Sequence, residues 1–293
     1  MGQAWCARHQ AAAKTFAAAD EALGLPLSKL CFEGPAEALN RTDVAQAAIY
    51  TTSVACYRSL QEAGQELAPL AGVAGLSLGE FTALHLAGAF SFLDGLKLVR
   101  LRGQAMQDAA EASPSSMVAL VGADEPQVEQ LCRDALEDPE NRGDEVLVPA
   151  NFNCPGQVVV SGSLAACERA LSVAEKMGLR ATALSVAGAF HSPLMQPAAD
   201  RLAEALEAVA WNTPQVPVLS NVTGQAHDNQ DIASIKARLV EQLTHPVRWS
   251  QSMQWAIAHV PARFAELSPG KVLSGLMRRI DRATKVENFA EPQ

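Results

Sequence analysis

A serine between glycines, an arginine on the apolar side of a helix and a histidine just ahead of a helix cap are the residues here whose types and spacing suggest chemistry. Ser77 stands in Gly75-Leu76-Ser77-Leu78-Gly79, part of VAGLSLGEFTALHLAGAF over 73–90, where a short apolar run passes into an apolar, alanine-rich helix. That pattern is a nucleophile elbow. Flanking glycines permit a tight strand-to-helix turn, and the strained central residue presents its hydroxyl above the sheet with the next helix's N-terminal dipole beneath it. A serine held there is poised to attack a carbonyl. The pentapeptide also arises by chance in many chains, so the surrounding residues must decide.

The following helix supplies the second clue. On a wheel of 100° per residue, Gly95, Leu98, Val99, Ala105, Met106 and Ala109 share one sector, and Lys97, Arg100, Gln104, Gln107 and Asp108 the opposite one. Arg102 falls in the middle of the apolar sector, where burying a guanidinium costs several kcal/mol unless an anion pairs with it. Two readings are open: a structural ion pair with Asp or Glu elsewhere in the fold, or a hook for a substrate carboxylate, which the planar fork matches through two parallel hydrogen bonds.

His191, in AGAFHSPLM, precedes the Ser192 cap by one residue. Beside a helix N-terminus the positive partial charge disfavours imidazolium and leaves a neutral ring available as a base. The alternative is a capping-region histidine in a loop. Among the others, His85 lies in the apolar helix and reads as packed core. His9, His227 and His259 have no recognisable partners, and His245 precedes Pro246 in a loop. No HExxH, GxxxxGK[ST] or GxGxxG pattern occurs, so metal, nucleotide and dinucleotide chemistry have no support.

These residues need a scaffold, and 293 residues are enough for one or two domains with a large core. Apolar residues make up 48 % and charged residues 19 %, a globular balance. No run of eighteen apolar residues appears and MGQAWCARHQ lacks the order of a secretory signal, so a soluble cytoplasmic protein is expected. The scattered cysteines 6, 31, 56, 132, 154 and 167 read as reduced structural thiols. A formal charge of −9 argues against a nucleic-acid surface. Any polyanionic partner needs a local patch, and Lys271, Arg278, Arg279, Arg282 and Lys285 near the C-terminus offer one. On the sequence alone the plainer reading is a solvated helix end with cations at the negative dipole terminus.

Helical patterns run from 4 to 22, from 43 to 63 and from 92 to 110. MVALVG, EVLVPANFN, GQVVVSG and ATALSV read as strands interleaved with the helices DEPQVEQLCRDAL and SLAACERALSVAEKMG. This βαββαβ order predicts a small ferredoxin-like subdomain over 115–186, inserted into a larger α/β domain of 1–114 and 187–293. After it come a helix begun by Ser192 and Pro193, a strand QVPVLSNVTG, helices at 231–243 and 250–259, a strand RFAELS and a basic terminal helix. Strands alternating with helices on both sides of the insertion predict a parallel sheet.

The ordered segments GLSLGEFTALHLAGAF, LKLVRLRGQAMQDA, NFNCPGQVVVSG, GAFHSPLM, EQLTHPVRW and SPGKVLSGLMRRI together resemble the malonyl-CoA:acyl carrier protein transacylases, over nearly the whole chain. The resemblance implies a hydrolase-like parallel-sheet domain with the ferredoxin-like insertion and a site in the cleft between them. It implies Ser77 as nucleophile, His191 as its base, Arg102 as ligand of the malonyl carboxylate, and the Leu78 N–H as oxyanion donor. Gln242 would orient His191 through its carbonyl, and Phe190 resembles the malonyl-selecting variants. A malonyl-serine would form from malonyl-CoA and pass to the pantetheine thiol of acyl carrier protein. No metal or bound cofactor is required, coenzyme A entering as the substrate thioester. Partners would be malonyl-CoA and acyl carrier protein, without nucleic acid or membrane, and a monomer is expected.

Two departures stand out. The family usually has histidine where this chain has Leu76, which borders the nucleophile and bears on substrate fit. Family members also open with a strand and an FPGQG-type turn whose glutamine supplies the second oxyanion N–H, and Met1-Gly2 resembles the residues just after it. The expectation is a start codon assigned too late, since one lost oxyanion donor costs on the order of 10² to 10³ in rate and a lost strand exposes a sheet edge. Two other functions compete: a serine hydrolase or thioesterase, which would need an acid between serine and histidine but not Arg102, and a non-catalytic carrier-binding scaffold.

Overall fold

The computed structural model of the chain describes residues 1–65, 67, 69–137 and 143–292. Its first part is helical: α1 (Gln3–Arg8), α2 (Gln10–Leu23), α3 (Leu27–Glu33), α4 (Ala36–Asn40), α5 (Thr42–Glu62), α6 (Gly79–Leu86) and α7 (Phe92–Ala112). The single helix expected over 4–22 is broken at His9, whose backbone is extended. α3 and α4, which the periodicity did not reveal, each begin directly after a proline, Pro26 and Pro35. α7 starts where the Ser91 hydroxyl accepts the Asp94 N–H, an N-cap that satisfies one of the first turn's free donors.

Two glycines set how closely α7 approaches α5. A Cβ on Gly95 would stand 2.1 Å from the Tyr50 hydroxyl, and one on Gly103 would stand 2.6 Å from the Thr42 carbonyl oxygen. Bare glycine at both positions lets the helices close together, which brings α5 side chains within reach of Arg102. The surrounding core includes Phe16, Tyr50, Phe81, Leu96, Leu202 and Leu239.

The middle of the chain forms β1 (Ser115–Val121), α8 (Glu125–Leu136), β2 (Leu147–Cys154), β3 (Gln157–Ser163), α9 (Leu164–Lys176) and β4 (Arg180–Ala183). The four strands make one antiparallel sheet in the order β2-β3-β1-β4. Alternation decides its faces. Val118, Leu120, Val158 and Val160 point to α8 and α9, whereas Met117, Ala150 and Val159 face the other way and meet Phe190. α8 opens on a capping box, the Asp124 carboxylate accepting the Gln127 N–H while the Gln127 side chain accepts the Asp124 N–H.

The remainder is a 3₁₀ turn at Pro193–Met195, then α10 (Gln196–Glu207), α11 (Ile232–Glu241), α12 (Trp249–His259), β5 (Phe264–Leu267), α13 (Val272–Ile280) and β6 (Val286–Phe289). β5 and β6 pair in parallel. The elbow run and QVPVLSNVTG, expected as strands, pair by backbone only in a parallel bridge between Val73 and Val218. Pro217, beside that bridge, has no N–H to extend the ladder, and the carbonyl that it does offer is taken by Val73 N. A second parallel bridge, Asn151 to Val247, ties β2 to the segment before α12. The α/β architecture is thus a helical body carrying short parallel pairings and one antiparallel sheet. Among the described residues no helix is long and apolar enough to cross a membrane.

Candidate active site

Ser77 lies at φ 52, a left-handed conformation that a residue with a Cβ holds only when its surroundings impose it. The elbow imposes it. A Cβ on Gly75 would come within 1.9 Å of the Gly79 carbonyl carbon, so the turn demands glycine there. Gly79 is different: a Cβ would meet nothing within 4 Å, and its place in the motif is as the backbone that Gly75 approaches. Asn221 holds the turn from the far side, its Oδ1 accepting the Ser77 N–H at 2.5 Å and its Nδ2 donating to the Gly75 carbonyl at 2.8 Å. The Leu78 N–H, at the mouth of α6, has no acceptor among the described residues.

His191 also takes a left-handed backbone, φ 58, and is 4 % exposed. Its Nε2 is 2.9 Å from Ser77 Oγ and its Nδ1 2.7 Å from the Gln242 backbone oxygen. A carbonyl can only accept, so Nδ1 carries the proton and Nε2 presents its lone pair to the serine hydroxyl. Burial first, and then the positive charge of Arg102, push the imidazole down to about 4, while the Gln242 carbonyl pulls the other way. Neutrality was expected from a helix dipole. It comes instead from desolvation and Arg102, and the element next to the histidine is only a single 3₁₀ turn.

Arg102 is 1 % exposed on the inner face of α7. Its Nη1 donates to Gln46 Oε1 at 2.7 Å, and its Nη2 donates to Ser77 Oγ at 2.9 Å and to Gln242 Oε1 at 2.8 Å. All three acceptors are neutral, and Nε has none among the described residues. The structural ion pair that the sequence allowed is therefore not formed among the described residues. Burial lowers this guanidinium to about 10 and Glu80 opposes the fall, so it stays charged at neutral pH. A buried cation that lacks a bonded anion, touching the hydroxyl of an elbow serine, is equipped to receive an anionic acyl group.

The acyl transferase domain family matches residues 1–290. The chain is 41 % identical over 280 residues to the malonyl CoA-acyl carrier protein transacylase of Escherichia coli, covering 95 % of this chain and 87 % of that one. The chain belongs to this family. A crystal structure of malonyl-CoA:acyl carrier protein transacylase from Xanthomonas oryzae superposes with a TM-score of 0.89 at 44 % identity, over 97 % of this chain and 87 % of the other. A malonyl-transacylase solved in complex with its type II PKS acyl-carrier protein superposes with a TM-score of 0.91 at 35 % identity, over 99 % and 91 %.

Within this acyltransferase, all six expected site residues can be placed. Ser77, His191, Arg102 and Gln242 form one bonded cluster, and Leu78 adjoins the serine. Half-buried Phe190 packs between the helical core and the inner face of the antiparallel sheet. Leu76 packs against a third apolar cluster with Leu219, Val247 and Trp249. Sequence reasoning missed Gln46, Asn221 and Glu80, and it left His227 without a partner. The structure corrects this, because His227 Nε2 lies 2.7 Å from Glu80 Oε1 with both side chains almost wholly buried. Glu80, an acid in the first turn of an otherwise apolar helix, was the one readable signal. His9 and His259 also have partners, Glu62 at 3.7 Å and the Trp255 carbonyl at 2.9 Å, and His85 is half-buried with Nδ1 on the Phe90 carbonyl.

Four of the five C-terminal cations come together. Arg278, Arg279, Arg282 and Lys285 line a cavity of about 590 Å³ with Pro155, whereas Lys271 stands at the opposite end of α13. Among the described residues no group of three or more His, Cys, Asp or Glu side chains is placed to hold a metal ion.

Proposed function

We propose that this acyltransferase moves a malonyl group from malonyl-CoA to the phosphopantetheine thiol of an acyl carrier protein in fatty acid biosynthesis, through a malonyl-serine at Ser77. The observation that carries the reading is the Arg102 guanidinium, buried, bonded among the described residues only to neutral oxygens, and 2.9 Å from the nucleophile. Ser77 Oγ attacks the thioester carbon as His191 Nε2 takes its proton, and the tetrahedral oxyanion receives the Leu78 N–H. Collapse expels the coenzyme A thiolate, which His191 reprotonates. Arg102 then holds the far carboxylate of the bound malonyl group, with Phe190 bordering the acyl site. The carrier thiol attacks in turn, giving its proton to His191, and Ser77 leaves with that proton. Gln242 orients the imidazole throughout by its backbone carbonyl. The scheme draws on no metal or bound cofactor.

The finer architecture that suits this chemistry divides the chain into a hydrolase-like domain, 1–114 and 187–293, and a ferredoxin-like subdomain, 115–186, with the site in the cleft between them. The cation-lined cavity is the docking place for the carrier. A monomer in the cytoplasm completes the reading, in keeping with six unpaired cysteines. Intact-mass analysis after exposure to malonyl-CoA tests it: a malonyl adduct on Ser77, discharged by holo carrier protein, is expected. Steady release of free malonate without transfer would favour a hydrolase, and no adduct at all would leave the carrier-binding scaffold.

A further inference from the structure

Behind the nucleophile lies a buried carboxylate for which the reaction scheme has no use. Glu80 is fully buried on α6, three residues after Ser77. Its Oε2 accepts from Gln242 Nε2 at 2.7 Å and from the Asn221 N–H at 3.1 Å, and its Oε1 faces His227 Nε2 at 2.7 Å. Gln242 and Asn221 are themselves completely buried.

The direction of each bond can be deduced. Arginine has only donors, so the Gln242 oxygen must face Arg102, which turns the Gln242 amide nitrogen onto Glu80 and the Ser77 carbonyl. A backbone N–H is likewise only a donor, so Glu80 Oε2 receives two protons and carries none. Gln242 is therefore a two-headed part: its side-chain oxygen takes Arg102, and its backbone oxygen takes the His191 ring. Asn221, the other group on Glu80, clamps the elbow on both sides of Leu76.

We infer that Glu80, backed by His227, is a positioning residue that sets the nucleophile, the base and the carboxylate hook together by fixing Gln242 and Asn221. It touches no reacting atom. Losing its acceptors strands three buried donors, on Gln242, Asn221 and His227, and a buried donor without a partner turns or pulls in water, so the groups beyond it drift. The malonyl part of this inference rests on the function proposed above, but the serine and histidine part does not.

Two rates separate these parts. Labelling of Ser77 by phenylmethylsulfonyl fluoride reads the serine–histidine alignment whatever the natural acyl group, and single-turnover acylation by malonyl-CoA reads Arg102 as well. Glu80→Leu, which fills the space without accepting, is expected to slow both by about 10- to 100-fold, and Glu80→Gln, which keeps an acceptor for Gln242, to recover most of the loss. Combined with Gln242→Ala, Glu80→Leu is expected to add much less than its own full loss, because the route through Gln242 is already gone and only the one through Asn221 remains. His227→Leu is expected to cost about tenfold and His227→Gln, which can still donate, to regain most of it. Wild-type labelling rates in Glu80→Leu, or losses that multiply in the double variant, would overturn the inference. Should Glu80→Leu not fold, equal rates for the two His227 variants overturn it. A wild-type protein that reacts with the sulfonyl fluoride but not with malonyl-CoA would sink the malonyl function and leave this inference standing.

Discussion

Ser77 Oγ has one proton to give and lone pairs to receive. In the resting site it gives to His191 and receives from Arg102. The second bond holds electron density back from attack, so a substrate carboxylate that draws the guanidinium onto itself also frees the nucleophile. This predicts an asymmetry in Arg102→Ala. Acylation by malonyl-CoA should fall about 100- to 1000-fold with the loss of charge-assisted hydrogen bonds, while acylation by acetyl-CoA persists or rises. An unchanged ratio of the two rates would remove the hook. His191 yields a second prediction. With its imidazole held near 4, the neutral base survives in acid, so the acylation rate should stay level from about pH 8 to about pH 5.5 and fall only below that. An ordinary histidine near 6.5 would already have cost about tenfold at pH 5.5. The stability linkage has a definite sign. The folded value is depressed, so the unfolded chain takes up the proton first, and this group's contribution is complete above about 6.5 and lost as pH falls toward 4.

Elements bring these residues together by backbone contact. Gln46 reaches Arg102 because α5 and α7 meet at Gly95 and Gly103, where no side chain intervenes. In Gly103→Ala the new Cβ faces the Thr42 carbonyl at 2.6 Å and the Asp43 Cα at 3.1 Å, both backbone atoms that cannot step aside. A loss of about 1–3 kcal/mol in urea unfolding is expected, with a raised KM for malonyl-CoA as Gln46 shifts. Gly275→Ala in α13 meets nothing within 4 Å and should instead stabilise by about 0.5–1 kcal/mol. If the two variants unfold alike, close approach is not what the α7 glycine provides. This scale also separates what the sequence reveals from what it hides. Arg102 could be placed inward because helical period is written in the residues of α7, and the four-stranded sheet because Val118, Leu120, Val158 and Val160 alternate. The elbow could be read because only glycine fits at 75. Gln46 and Asn221 could not be read: a neutral amide looks alike in any loop or helix, and Asn221 meets Ser77 across 144 positions of chain through a fold that had to exist first. The break at His9 and the single bridge at Val73 are likewise decided by tertiary packing rather than by local pattern.

At the scale of the whole molecule the charge is −9, which on its own repels any acidic partner. Screening settles the conflict. At physiological salt the Debye length is about 8 Å, so the distant negative charge is largely hidden from an approaching partner while cations in contact with it are not. Arg278, Arg279, Arg282 and Lys285 gather around one cavity. The helix that carries the first two is fixed at its start, Glu266 accepting the N–H groups of Leu273 and Ser274, each at 2.8 Å. Arg279 also donates to Gln157 of β3 at 3.3 Å, which sets the cations beside the antiparallel sheet. A patch anchored in this way costs little further ordering when a partner arrives. Arg278→Glu combined with Arg279→Glu should therefore raise the KM for holo carrier protein about tenfold or more at low salt and leave acylation by malonyl-CoA alone unchanged. Added salt should weaken the wild-type interaction and have little effect on the variant, because the attraction that salt screens has already been removed. A carrier KM with the same value and the same salt dependence in both proteins would mean that these arginines only solvate the end of α13, and that the carrier is met on another face.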